Sequence, residues 1–168
     1  MLNSFRSVFW LGFLVCLTML AIAGYFQFIE QLEPCPLCIL QRLMVLVTGV
    51  LFLLGALQNP VTTGRRVYGF FVMLSASIGA MISARHVWIQ QLPADQVPSC
   101  GPGLNFILEN FPLSQAIDMV MRGSGECADV LWTFLGLSIP GWTLVAFVVM
   151  AIIGLKQIFA RHRRPDFI

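Results

Sequence analysis

Four long stretches of this chain carry almost no charge, and no other feature restricts its fold as strongly. Ser7 to Ile29, Val67 to Ala84 and Ile139 to Leu155 contain no charged residue, and Ile39 to Gln58 contains only Arg42, near its start. About 20 apolar residues cross the hydrocarbon layer of a bilayer, and each stretch is of that length. Lipid offers no partner to a free backbone N–H or C=O, so each stretch must be a helix. The expected fold class is all-α: a bundle of four transmembrane helices at about 8–29, 39–58, 67–86 and 139–158, in one membrane domain over residues 1–168. Composition agrees, with 58% hydrophobic and 11% charged residues, against about 45–50% and about 25% in soluble domains. No glycine-rich phosphate loop is visible, and neither a nucleotide nor a nucleic acid is an expected partner.

The first stretch invites a second reading. Arg6, the apolar run and Ala21-Ile22-Ala23 resemble a signal peptide with its cleavage site. A signal core runs about 7–15 residues, whereas this one continues through Tyr25, Phe26 and Phe28, so a retained helix is expected. Basic residues in the connections then set the orientation. Arg6, Arg65, Arg66, Lys156, Arg161, Arg163 and Arg164 fall on one side, while Glu30, Glu33, Asp95, Glu109, Asp118, Glu126 and Asp129 fall on the other. Both termini are expected in the cytoplasm. A short loop (30–37) and a long one (91–138) are expected outside. Leu104, Ile107, Leu108, Phe111, Ile117, Val120 and Met121 recur near helical spacing in the long loop, which fits a short amphipathic helix on the membrane face.

The chain has five cysteines. Cys35 and Cys38 belong to the short outer loop and Cys100 and Cys127 to the long one, the side on which disulfides persist. Three pairings of the four are possible; the simplest joins Cys35 to Cys38 and Cys100 to Cys127. Cys16, in the middle of helix 1, reads as a small buried hydrophobe. Zinc is the rival use of four outward thiols. Four-thiolate zinc sites present two close pairs, however, and here only one pair is close. His86 could stand in as a ligand, but Arg85 beside it opposes a cation, so no metal is expected.

The stretch "EPCPLCILQR" gives the close pair a reactive setting. Pro34 and Pro36 restrict the turn. Helix 2 is expected to begin near Cys38, where the positive end of the helix favours a thiolate. Arg42 lies one turn further on the same face, able to snorkel outward or to reach back to Cys38. Helix 3 ends in "SARHVWIQQ", which sets His86 and Gln90 on one face at the same membrane depth. A polar, cationic cluster at the edge of lipid suits an amphiphile with carbonyl groups and an apolar tail, and a quinone fits. Snorkelling basic residues and an aromatic belt are the ordinary alternative.

These motifs together resemble the DsbB family of bacterial disulfide bond formation proteins. The likeness covers nearly the whole chain: four helices, "PCPLCILQR", "RHVWIQQLP", two separated loop cysteines and "CADVLWTFLGLSIPGW", in that order. The resemblance implies a thiol:quinone oxidoreductase of the inner membrane that reoxidises a periplasmic DsbA-like thioredoxin-fold oxidase. It implies that Cys100 receives the partner's thiolate, with Cys127 as its pair. Electrons then pass to Cys35–Cys38, with Cys38 next to the quinone (ubiquinone or menaquinone). Arg42 binds and polarises the quinone in that scheme, with His86 and Gln90 close by. The chain departs from the family pattern at Gln41, where a glutamate is frequent. A specialised paralogue, or a vitamin K epoxide reductase-like enzyme, is the nearest alternative.

Overall fold

A computed structural model of the chain describes residues 5–31, 34–93, 96, 112, 115, 125–128, 130 and 132–159. Four helices dominate it: α1 (Phe5–Phe28), α2 (Pro36–Gln58), α3 (Thr62–Gln90) and α4 (Ile139–Phe159). Each is long and apolar enough to cross a membrane. The chain is thus an all-α, four-helix membrane protein. Its surface repeats the sequence pattern inside out. Leu11, Leu46, Phe70, Phe71, Val148 and Ile152 are exposed on the outside of the bundle, while Thr48 and Ser75 hydrogen-bond across the buried α2–α3 seam at 3.1 Å.

α1 packs along α2, α2 along α3, and α3 along α4. Because lipid tails are as apolar as leucine, helices gain nothing by merely hiding apolar groups from each other; close packing must hold them. The α3–α4 contact shows how. A Cβ added to Gly154 would lie 2.7 Å from the carbonyl oxygen of Gly69, so the two backbones meet where neither has a side chain. A core of Phe9, Phe52, Val72, Ala76, Phe147 and Met150 fills the bundle next to this contact. Cys16 belongs to it, with its Sγ 3.5 Å from Met150 Sδ.

Three features that position the site differ from the expected boundaries. α2 begins at Pro36, about three residues early, because proline at the first helical position lacks only an N–H that would have no partner there. α3 runs on to Gln90, and its 29 residues span about 44 Å. That exceeds the roughly 30 Å hydrocarbon layer, so part of α3 extends past it. A two-stranded hairpin, β1 (Thr133–Phe134) and β2 (Leu137–Ser138), precedes α4 and was not expected. Its turn places Leu135 and Gly136 at φ 50° and 80°, the positive-φ pair that suits the twist of a tight hairpin. Apart from Pro112 and Gln115, the amphipathic segment expected at Leu104–Met121 lies outside the described residues.

Candidate functional site

Cys35 is the N-cap of α2. Its Sγ accepts a hydrogen bond from the Cys38 backbone N–H at 3.4 Å, a role usually taken by a serine or aspartate oxygen. Cys38 therefore lies within the first helical turn, not at the helix start. The i to i+3 spacing brings the two sulfurs onto one face, 3.2 Å apart. Cys35 is buried and Cys38 half-buried.

Cys127, in a short 3-10 turn (Gly125–Cys127), is fully buried against this pair. Cys35, Cys127, Leu37, Ile82 and Ile89 form a second, smaller core at this end of the bundle. The Cys35 sulfur, the Cys127 sulfur and a ring nitrogen of His86 all lie within 4.8 Å of one another. A close approach of Cys127 to Cys35 was not legible in the chain, where the simplest pairing gave Cys127 to Cys100. Cys100 lies outside the described residues.

His86 is buried, 3% exposed, and its ring bridges three segments. Nδ1 lies 3.1 Å from the side-chain nitrogen of Gln41. Nε2 lies 3.2 Å from the backbone oxygen of Cys127 and 3.8 Å from Cys35 Sγ. Cys35, His86 and Cys127 are the described groups that could hold a metal, provided that His86 presents a lone pair to it.

Arg42 directs its hydrogen bonds across to α1. Its guanidinium donates to the side-chain oxygen of Gln27 and, at 3.2 Å, to the carbonyl of Ala23, both on α1. A guanidinium has five N–H donors in a fixed fork, so these bonds orient the group and leave others to give. Gln27 was missed from sequence; a lone glutamine in an apolar run was its only signal. Gln90 accepts from the Ser138 hydroxyl at 2.7 Å through its amide oxygen, which leaves only its NH2 to offer a carbonyl. Trp88 is well exposed and lies outside the cluster.

Cys38, Gln41, Arg42, His86 and Gln90 share the wall of one cavity of about 500 Å³. Its remaining lining is mostly apolar, from α1 (Met19, Leu20, Phe26), α2 (Val45), the hairpin (Trp132, Phe134) and α4 (Ile139, Trp142). The hairpin joins its wall through aromatic contacts. Trp132 stacks on Phe134 with ring centres 5.8 Å apart, and the Trp142 indole N–H donates to the Phe134 carbonyl at 3.1 Å. A few polar groups at one end of an apolar cavity of this size are what an organic ligand site requires. Among the described residues, no carboxylate lines it.

The chain is similar to known disulfide bond formation proteins. The family model described as "Disulfide bond formation protein DsbB" matches residues 5–157. The chain is 61% identical over 154 residues to a Disulfide bond formation protein B from Nitrosococcus oceani, covering 92% of this chain and 91% of the relative. It is 49% identical over 160 residues to the protein of that name from Hahella chejuensis, with 95% of each chain covered. The Methylococcus capsulatus protein of that name is also 49% identical, over 156 residues, covering 93% of this chain and 95% of the relative.

Proposed function

This chain belongs to the DsbB family of disulfide bond formation proteins, and from that premise we propose that it reoxidises a periplasmic DsbA-like dithiol oxidase and delivers the electrons to a membrane quinone. In this reading it is an inner-membrane enzyme with both termini in the cytoplasm. Cys35, Cys38, Cys100 and Cys127 face the periplasm. The observation that carries the proposal is the cavity itself: a thiol pair 3.2 Å apart sits on the wall of an otherwise mainly apolar cavity that also receives Arg42 and Gln90.

The chemistry is thiol–disulfide exchange in series. A partner thiolate attacks Cys100 of a Cys100–Cys127 disulfide, forms a mixed disulfide and releases the Cys127 thiol. The partner's second thiol then displaces Cys100 and leaves the partner oxidised. Cys127 and Cys100 become a disulfide again by exchange with Cys35–Cys38, which becomes a dithiol. The short separation of Cys127 and Cys35 supports this transfer, since exchange requires one sulfur to reach another directly. Return of Cys35–Cys38 to the disulfide releases two electrons and two protons.

A quinone, when bound, supplies a two-electron, two-proton acceptor. The residues present fit such a group: Arg42 and the Gln90 NH2 are donors for its carbonyl oxygens, and the apolar walls suit a ring and tail. Arg42 is held by Gln27 and Ala23, so its remaining donors are set before any ligand arrives. His86 is engaged with Gln41 and Cys127, and its part here is to hold the thiols in place.

The test is turnover. Purified protein is mixed with a reduced DsbA-type oxidase and a soluble quinone, alongside Cys38→Ser and Cys100→Ser variants. Quinone-dependent oxidation of the partner by the unmutated chain, absent in both variants, is expected. No such oxidation by the unmutated chain defeats the proposal. Stoichiometric zinc bound by the four thiols as isolated would favour the metal reading instead.

A further inference from the structure

The contacts of His86 determine where its proton sits. A carbonyl oxygen can only accept, so the 3.2 Å contact between Nε2 and the Cys127 carbonyl requires a hydrogen on Nε2. A neutral imidazole then has a bare lone pair on Nδ1, and buried lone pairs need donors. The Gln41 amide NH2, 3.1 Å away and itself 5% exposed, supplies one. The reversed amide would put its oxygen against Nδ1 and require a second proton, making the ring a cation. The groups around the ring oppose that. The Gln41 amide sets its nitrogen, not its oxygen, towards Nδ1, Arg42 shares the cavity wall, and among the described residues no carboxylate lines the cavity.

We infer that Gln41 is a positioning residue for the thiol relay: its amide holds His86 as the neutral Nε2–H tautomer, and that N–H docks the Cys127 backbone so that Cys127 Sγ lies beside Cys35 Sγ. Gln41 touches neither reacting sulfur in these contacts; it acts through His86 and across three separate chain segments. The same proton removes the Nε2 lone pair that a metal would need, so the set Cys35, His86 and Cys127 is a docked thiol pair with a clamp. A glutamate at position 41 would do something different. Its carboxylate can only accept, so Nδ1 would take a proton and the ring would carry a positive charge. The side chain at 41 therefore decides the charge of the clamp.

The relay role rests on the functional reading above, but the tautomer does not, and the experiment separates them. The chain has two histidines, so nitrogen-15 histidine labelling of the full-length protein in lipid nanodiscs, with His162→Asn, isolates the His86 ring. At neutral pH an unprotonated Nδ1 and a protonated Nε2 are expected, and Gln41→Glu is expected to protonate both. In a Cys38→Ser, Cys100→Ser background, diamide oxidation of the two remaining site thiols to a Cys35–Cys127 disulfide is followed by mass spectrometry. Gln41→Leu leaves the buried ring nitrogen without a donor and is expected to slow that bond about tenfold. A wild-type ring protonated at Nδ1 overturns the inference without any variant having to fold. So does a Gln41→Leu protein that keeps both the tautomer and the crosslinking rate. If the tautomer and crosslinking are as expected but quinone-dependent turnover is absent, only the functional reading fails.

Discussion

The two ends of this bundle are held together by different physics. Around Phe9, Phe52, Phe147 and the Gly69–Gly154 contact, the helices meet mainly by shape, with the Thr48–Ser75 and Arg65–Gln157 hydrogen bonds beside that packing. Around Cys35, His86 and Cys127, a small apolar core is overlaid with hydrogen bonds that join α2, α3 and the loop before α4. Shape-locked packing admits one arrangement, because interiors at crystal-like density have no room to shift. Contacts through a single N–H or sulfur can be broken and remade at modest cost. A relay of thiols needs both: a frame that keeps its geometry, and a face on which sulfurs change partners.

That contrast can be broken most directly at Cys38. Cys38→Ser is expected to remove quinone-dependent turnover, a loss of about 10³-fold or more as for other nucleophile deletions, while the melting temperature is unchanged. A melting temperature that falls with activity would mean that the thiol end also carries the frame. At the other end the sign reverses. Phe52→Ala leaves the reactive groups untouched but empties a fully buried site. In water such a change costs about 3–5 kcal/mol. Inside lipid the transfer part is missing, so about 2 kcal/mol of lost packing is expected in denaturant titrations in micelles, with per-molecule activity retained.

Arg42→Lys tests the join between the two ends, because Arg42 ties α2 to α1 while lining the cavity. A lysine keeps the charge but loses the planar fork. With charge-assisted hydrogen bonds worth about 1.5–3 kcal/mol, the KM for quinone is expected to rise about tenfold or more, with kcat less affected. An unchanged KM would take Arg42 out of the binding site. The smallest effect is expected at Ser83, the one described residue with a buried side-chain oxygen that has no hydrogen-bond partner. Ser83→Ala removes an unsatisfied hydroxyl, so stability is expected to stay within about 0.5 kcal/mol or to rise. A clear loss would reveal a partner for that hydroxyl.

Some of the site was visible in the chain. Cys35, Cys38, Arg42, His86 and Gln90 were singled out from their spacing and depth, and all five line one cavity. Helical periodicity explains this, since i to i+3 and i to i+4 neighbours share a face wherever the helix goes. Their partners were not visible. Gln27 reaching Arg42, Gln41 reaching His86, and Cys127 resting beside Cys35 are contacts between different segments, and no local pattern encodes which faces meet. The hairpin was missed because its turn places a leucine at positive φ, a conformation that the residue type does not advertise.

The chain alone determined the four helices and the side on which each loop was expected, because lipid leaves a backbone no alternative to a helix and basic residues bias the loops that carry them. It also determined the chemistry available, since thiols, a guanidinium and an imidazole are present whatever the packing. Tertiary structure decided which of these groups touch. It placed Cys127 against Cys35, turned Arg42 towards α1, and gave His86 a donor on one nitrogen and an acceptor on the other. The physical reason is that hydrogen bonds and sulfur contacts act over about 3–4 Å, while the residues that make them lie far apart in the chain. Only the packing of the helices brings them within that range.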